Sequence, residues 1–192
     1  MDDIERARSL ADRYWDGLLQ LEPMICTLVG DDRYDDRLSD PSEAGRVAAE
    51  ELNRSALDEL AAIDRPALDP TMRGTLDVLE ACARRWLADL EHRTDRLAPA
   101  AHFWGPVTAL AEIASMQAVD TPEQLDRYER RLRSFPAFLD SWADVAREGI
   151  AAGVTSPRVV AERASGQLDR LLALDPADSP AAVPLGDRAA ER

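Results

Sequence analysis

Imidazole chemistry in this chain rests on two residues, His92 and His102. A zinc peptidase of the HExxH kind needs two histidines four apart on one helix, with a glutamate between them as general base. His92 is followed by Arg93, and neither histidine has a partner at that spacing. Asp89-Leu90-Glu91-His92 does set a carboxylate and an imidazole three apart, as a carboxylate-bridged metal site draws them from one helix. Such a site uses that element twice, and here it occurs once. His92 therefore reads as a helix-end residue beside solvent.

Asp31, Asp32, Asp35, Asp36 and Asp40 invite a calcium loop. An EF-hand loop wants glycine at its sixth position and glutamate at its twelfth. Counting from Asp31, those places hold Asp36 and Ser42; counting from Asp35, they hold Asp40 and Arg46. Neither frame works, and the aspartates read as Asx turns and helix caps, whose short carboxylates accept nearby amides. Cys26 and Cys82 form no CxxC pair and read as buried free thiols of a reducing compartment. The chain has no GxSxG turn, no GxxxxGK[ST] phosphate loop and no GxGxxG turn. His102-Phe103-Trp104-Gly105 has two readings: a groove lining, with the glycine admitting close backbone approach, or an aromatic plug between helices.

The elements that would position these residues are helices. Ile4, Ala7, Leu10, Ala11, Tyr14, Trp15 and Leu18 form one apolar stripe, predicting a helix from Asp2 or Asp3 to Leu19. Pro23 suits the first turn of a short helix ending near Gly30, and residues 30–40 read as an ordered loop. Asp40, Pro41 and Glu43 supply the start of a helix reaching about Ile63, and Asp69-Pro70 starts another that carries Leu76, Leu79, Ala83 and Trp86. A shorter helix is expected from Val107 to about Met116. Thr121-Pro122-Glu123-Gln124 is a capping box, whose helix should break at Phe135-Pro136. A further stripe runs from Phe138 to Gly149, Gly153 is placed to end it, and Ser156-Pro157 starts a last helix.

These elements predict an all-α fold, a bundle-like array of about six to eight helices. One helical domain is expected over residues 1–174, followed by a mobile Pro/Ala-rich tail over 175–192.

A net charge of −14 argues against nucleic acid, since no basic stripe offsets the repulsion of a phosphate backbone. All 23 basic residues are arginines. Arg127, Arg130, Arg131 and Arg133 form the densest run, and with Asp126 and Glu129 among them they read as a solvated helix face. No apolar stretch approaches the roughly 20 residues that span a bilayer, and the acidic first helix is no signal peptide. The expected partners thus exclude nucleic acid and membrane, and the expected compartment is the cytoplasm.

Tyr14-Trp15, Pro23, Thr27, Gly30 and the run Tyr34-Asp35-Asp36-Arg37-Leu38 carry a resemblance. Gly105, Thr121-Pro122 through Tyr128, Arg131-Leu132 and Phe135-Pro136-Ala137-Phe138-Leu139 extend it, and the stretch Arg147 to Val160 closes it on Gln167-Leu168. In that order they resemble the amino-terminal part of the bacterial domain of unknown function 885 family, whose members look like gluzincin-type zinc metallopeptidases. The resemblance implies a longer protein whose HExxH motif lies downstream. There zinc would activate a water against a peptide carbonyl, with a glutamate as base. It assigns this chain no catalytic residue, no metal ligand and no cofactor of its own. It offers Tyr34, His102 and Trp104 for lining the cleft. The function it implies is a non-catalytic helical scaffold, with peptide or the missing carboxy-terminal part as partner. The alternative is a stand-alone helical binding or interaction module derived from that scaffold, with homo-oligomerisation open to either.

Overall fold

The computed structural model describes residues 2–101 and 105–191, with side chains through Leu185 in the last segment. Among the described residues the fold is all-α, as expected, with no strand. The α-helices are α1 (Asp3–Leu21), α2 (Pro23–Leu28), α3 (Glu43–Ala61), α4 (Pro70–His92), α5 (Pro106–Met116), α6 (Pro122–Ala151) and α7 (Arg158–Leu172).

Most starts and stops follow from local chemistry. Asp2 caps α1 by accepting from the Glu5 amide at 2.8 Å, and Asp69 caps α4 by accepting from the Met72 amide at 2.9 Å. The Thr121–Gln124 box is closed both ways, with bonds of 3.2 and 3.1 Å. Gly153, at φ +70°, takes the left-handed conformation that follows α6. Two expectations are corrected. Asp40 turns its carboxylate to the Ser42 amide at 2.9 Å, so α3 begins at Glu43 and not at Pro41. α6 runs unbroken through Pro136, which sits on its exposed side between the buried Phe135 and Phe138. Solvent can satisfy the carbonyl that the proline leaves unpaired there, while burial of the two phenylalanines keeps the helix continuous.

The chain divides into two compact units, Met1–Glu22 with Glu43–Thr94, and Pro23–Ser42 with Asp95–Arg192. In the first, α1, α3 and α4 pack on one another. Their stripes meet in a core of Leu10, Tyr14, Leu60, Leu76 and Leu79, each worth about 1.5–3 kcal/mol on burial. Tyr14 Oη donates to Asn53 Oδ1 at 2.9 Å and Asn53 Nδ2 to the Ala49 carbonyl at 2.6 Å, so this core's buried polar pair is satisfied.

In the second unit α5 is central, touching α2, α6, α7 and a 3₁₀ run at Pro180–Glu191. Ile113, Leu125, Tyr128, Phe135 and Phe138 make its core. The Phe138 ring meets Phe135 and Trp142 edge-on, at centroid distances of 5.7 and 6.3 Å. In the Pro/Ala-rich segment beyond α7, the Ala181 carbonyl accepts from Tyr128 Oη at 2.9 Å and Leu185 packs against that core. Gly149, buried on α6, lets two backbones close in. A Cβ there would stand 2.9 Å from the Val154 carbonyl oxygen and 3.2 Å from that of Arg96.

Candidate functional site

The buried stripe of α6 passes through Leu125, Tyr128, Arg131, Phe135 and Phe138, so an arginine occupies a core position between two aromatics. Arg131 is 0% exposed, which corrects its expected place on a solvated face. A buried guanidinium must place its five N–H groups, and all five are placed here. Nε donates to the Arg37 carbonyl at 2.8 Å. One terminal nitrogen donates to Thr27 Oγ1 and Gln117 Oε1, both at 2.9 Å. The other donates to the carbonyls of Tyr34 at 2.8 Å and Pro23 at 3.4 Å.

Asp35 supplies the counter-charge, 3.6 Å from the guanidinium and itself buried. It accepts from Thr27 Oγ1 at 2.5 Å, and its carbonyl accepts from Gln117 Nε2 at 2.8 Å. Burial draws the Arg131 pKa down, and the charges of Asp35 and Asp36 push it back up. Its guanidinium remains a cation under that balance.

Two more ion pairs join the acidic loop to the basic run. Arg127 bonds Asp32, and Arg130 stands 3.5 Å from Asp36. Asp31 closes an Asx turn on the Arg33 amide at 3.0 Å and grips the Arg33 side chain, which holds its carboxyl below the usual range. Three of the five aspartates and three of the four arginines that the sequence offers separately are thus each other's partners, while Arg133 pairs with Glu129 on its own helix. The node joins the start of α2, the loop 31–38, the end of α5 and the middle of α6, which are far apart in the chain.

Beside it lies an apolar groove of about 310 Å³. Met24, Ile25 and Leu28 of α2 form one wall, and Phe138 and Trp142 of α6 another. Ala109 and Met116 of α5 line it too, with Glu112 as its charged lining residue. Leu28, 65% exposed, stands at its mouth. Arg131 holds Pro23, Thr27 and the loop against α6, so the groove's walls are set by the fold before anything enters.

Among the described residues no set of donors fits zinc. Exposed His92 ends α4, and the Asp89 carboxylate one turn back lies 3.7 Å from Arg85 Nε. No group of three or more His, Cys, Asp or Glu able to hold a metal occurs among the described residues. Of the thiols, Cys26 is buried and Cys82 exposed, which corrects the expectation that both are buried. Burial pushes the Cys26 thiol up, away from thiolate chemistry.

Tyr34 is half-buried in the loop, its ring 5.8 Å from the Arg33 guanidinium and 5.4 Å from that of Arg37. It contributes its carbonyl to the Arg131 node. His102 and Trp104 lie outside the described residues. Arg131, Thr27, Asp35 and Gln117 are the residues that sequence reasoning passed over as a set. The available signal was positional, since Arg131 stands three residues after Tyr128 and four before Phe135, on the stripe those aromatics define. Nothing local marks Gln117.

No helix among the described residues is long and apolar enough to cross a membrane. No curated protein and no solved structure matches the chain. A family model described as "Bacterial protein of unknown function (DUF885)" matches residues 23–192. Tyr14-Trp15 falls outside that match, whereas the Arg131 node, the groove and the Pro/Ala-rich segment fall within it. The chain belongs to this bacterial family of unknown function.

Proposed function

We propose that this chain is the non-catalytic, amino-terminal helical scaffold of a zinc-metallopeptidase-like protein, with the zinc motif missing from this chain. The observation that carries the reading is α7. It buries Ala164 but leaves Val159, Leu168 and Leu172 exposed, Leu172 at 84%. An amphipathic helix with part of its apolar surface uncovered is suited to receive a further packing layer. The proposed partner there is the carboxy-terminal part of such a protein or, failing that, a second copy of the chain. The Arg131 node supports the same reading, because it spends its charge on positioning backbone and leaves no donor for a substrate. The sequence carries no HExxH motif, which a non-catalytic scaffold does not need, and the cytoplasm is the proposed compartment.

The groove favours a second reading, a stand-alone binding module, since its walls are fixed without any partner. Zinc stoichiometry, peptide hydrolysis and sedimentation of the purified chain separate the outcomes. The scaffold reading expects no tightly held zinc, no hydrolysis, and concentration-dependent association that Leu172→Glu abolishes. Tightly bound zinc or clear hydrolysis would sink it. A monomer at all concentrations would favour the binding module.

A further inference from the structure

We propose that the groove between α2, α5 and α6 binds a peptide segment in which an apolar side chain neighbours an arginine or lysine. This goes beyond the scaffold reading and does not depend on it. At about 310 Å³ the groove lies at the small end of ligand sites. That is room for one large side chain and its adjoining backbone, not for a nucleotide or haem. Met24, Met116, Phe138 and Trp142 give it polarizable and aromatic walls. The unbranched methionines can adapt to a branched or ring-bearing guest.

Charge selects among apolar guests. Glu112 is the charged residue lining the groove, and its carboxylate has no ion-pair partner among the described residues. The aspartates beside the Arg131 node are, by contrast, matched to arginines. An unmatched carboxylate at the edge of an apolar groove, on a chain of net charge −14, attracts a cation and repels phosphate or a fatty-acid headgroup. A fatty-acid chain would satisfy the walls and offend the charge. A basic–apolar peptide satisfies both. The Arg131 node adds preorganisation, since α2 and the loop need not be ordered on binding.

The test follows the indole N–H resonance of Trp142 in the labelled chain, assigned with Trp142→Phe. It titrates the capped tetrapeptide acetyl-Ala-Arg-Leu-Ala-amide at low and high salt. Saturable shifts at Trp142 are expected, with weaker binding of the Arg-to-Glu and the Leu-to-Ala versions of the peptide. Glu112→Gln should weaken the basic peptide by up to about fivefold, the reach of an exposed ion pair, and remove most of the salt dependence. Leu28→Ser, at an exposed position that does not threaten folding, should weaken it at every salt concentration. No shift at Trp142, equal affinity for the Arg and Glu peptides, or tighter binding to anionic phosphatidylglycerol vesicles would each overturn the proposal.

Discussion

Replacing Arg131 with methionine keeps a long unbranched side chain in the stripe of α6 and removes its charge and all five donors. Four of the lost bonds are short, at 2.8 or 2.9 Å, and the fifth, to Pro23, is long at 3.4 Å. At about 1.5–3 kcal/mol for each charge-assisted bond, four would sum to roughly 6–12 kcal/mol. That sum overstates the loss, because the unfolded chain no longer gains by rehydrating a guanidinium and the freed carbonyls relax towards water. The better guide is a buried charge left without its partner, which is the situation of Asp35, at about 3–5 kcal/mol. Domains of ordinary stability hold about 5–15 kcal/mol in all, so the second unit should be badly weakened. Arg130→Met is the matched control. Its side chain is 56% exposed and 3.5 Å from Asp36, so its loss should cost below about 1 kcal/mol. Urea unfolding followed by helical circular dichroism, with hydrogen exchange at residues 34–38, measures both variants. Exchange should accelerate at that loop in Arg131→Met and stay unchanged in Arg130→Met. A cost below about 1 kcal/mol for Arg131→Met, or equal costs for the two, would refute the buried-node argument.

Gly149→Ala should destabilise by about 1–3 kcal/mol, since the new methyl must displace backbone oxygens of Val154 and Arg96 rather than a flexible side chain. Thermal unfolding reads this directly, and a melting temperature equal to that of the parent would show that the close approach is not needed. Glu22 carries a pH prediction. Burial pushes its carboxyl up to about 7, so the folded chain prefers the neutral acid. Its contribution is fully present below the ordinary carboxyl range and is lost as pH rises through about 7, because the unfolded chain releases the proton first. Glu22→Gln should therefore flatten the decline in stability between pH 4.5 and 7. Denaturation midpoints across that interval measure it, and an unchanged slope in the variant would count against the assignment.

Much of the helical framework was legible because its signals are local. Asp69 and Thr121 act on amides within three residues, and their helices begin where cap chemistry places them. Phe135-Pro136 misled for the same reason. The proline's local preference for a break is outweighed by burial of the phenylalanines flanking it, a tertiary term that no short window contains. Tyr34 stands out in the sequence by its ring, and what it brings to the node is its carbonyl, which every residue type possesses. Glu112 carries no sequence mark at all. It is one carboxylate among 37 acidic residues, distinguished by lining an apolar groove with no ion pair to it among the described residues.

From the sequence alone come the all-α class, most helix limits, the excess of negative charge and the absence of an HExxH motif. Each depends on composition or on contacts within a turn or two. Tertiary structure alone distinguishes Arg131 from Arg130, identical residues set apart by about 100° of helical rotation. One sits among carbonyls contributed from 94 to 108 residues away, and the other faces solvent. A charge becomes a structural node or a solubilising group according to what the distant chain brings to it. Burial and long-range pairing, not residue type, made that choice.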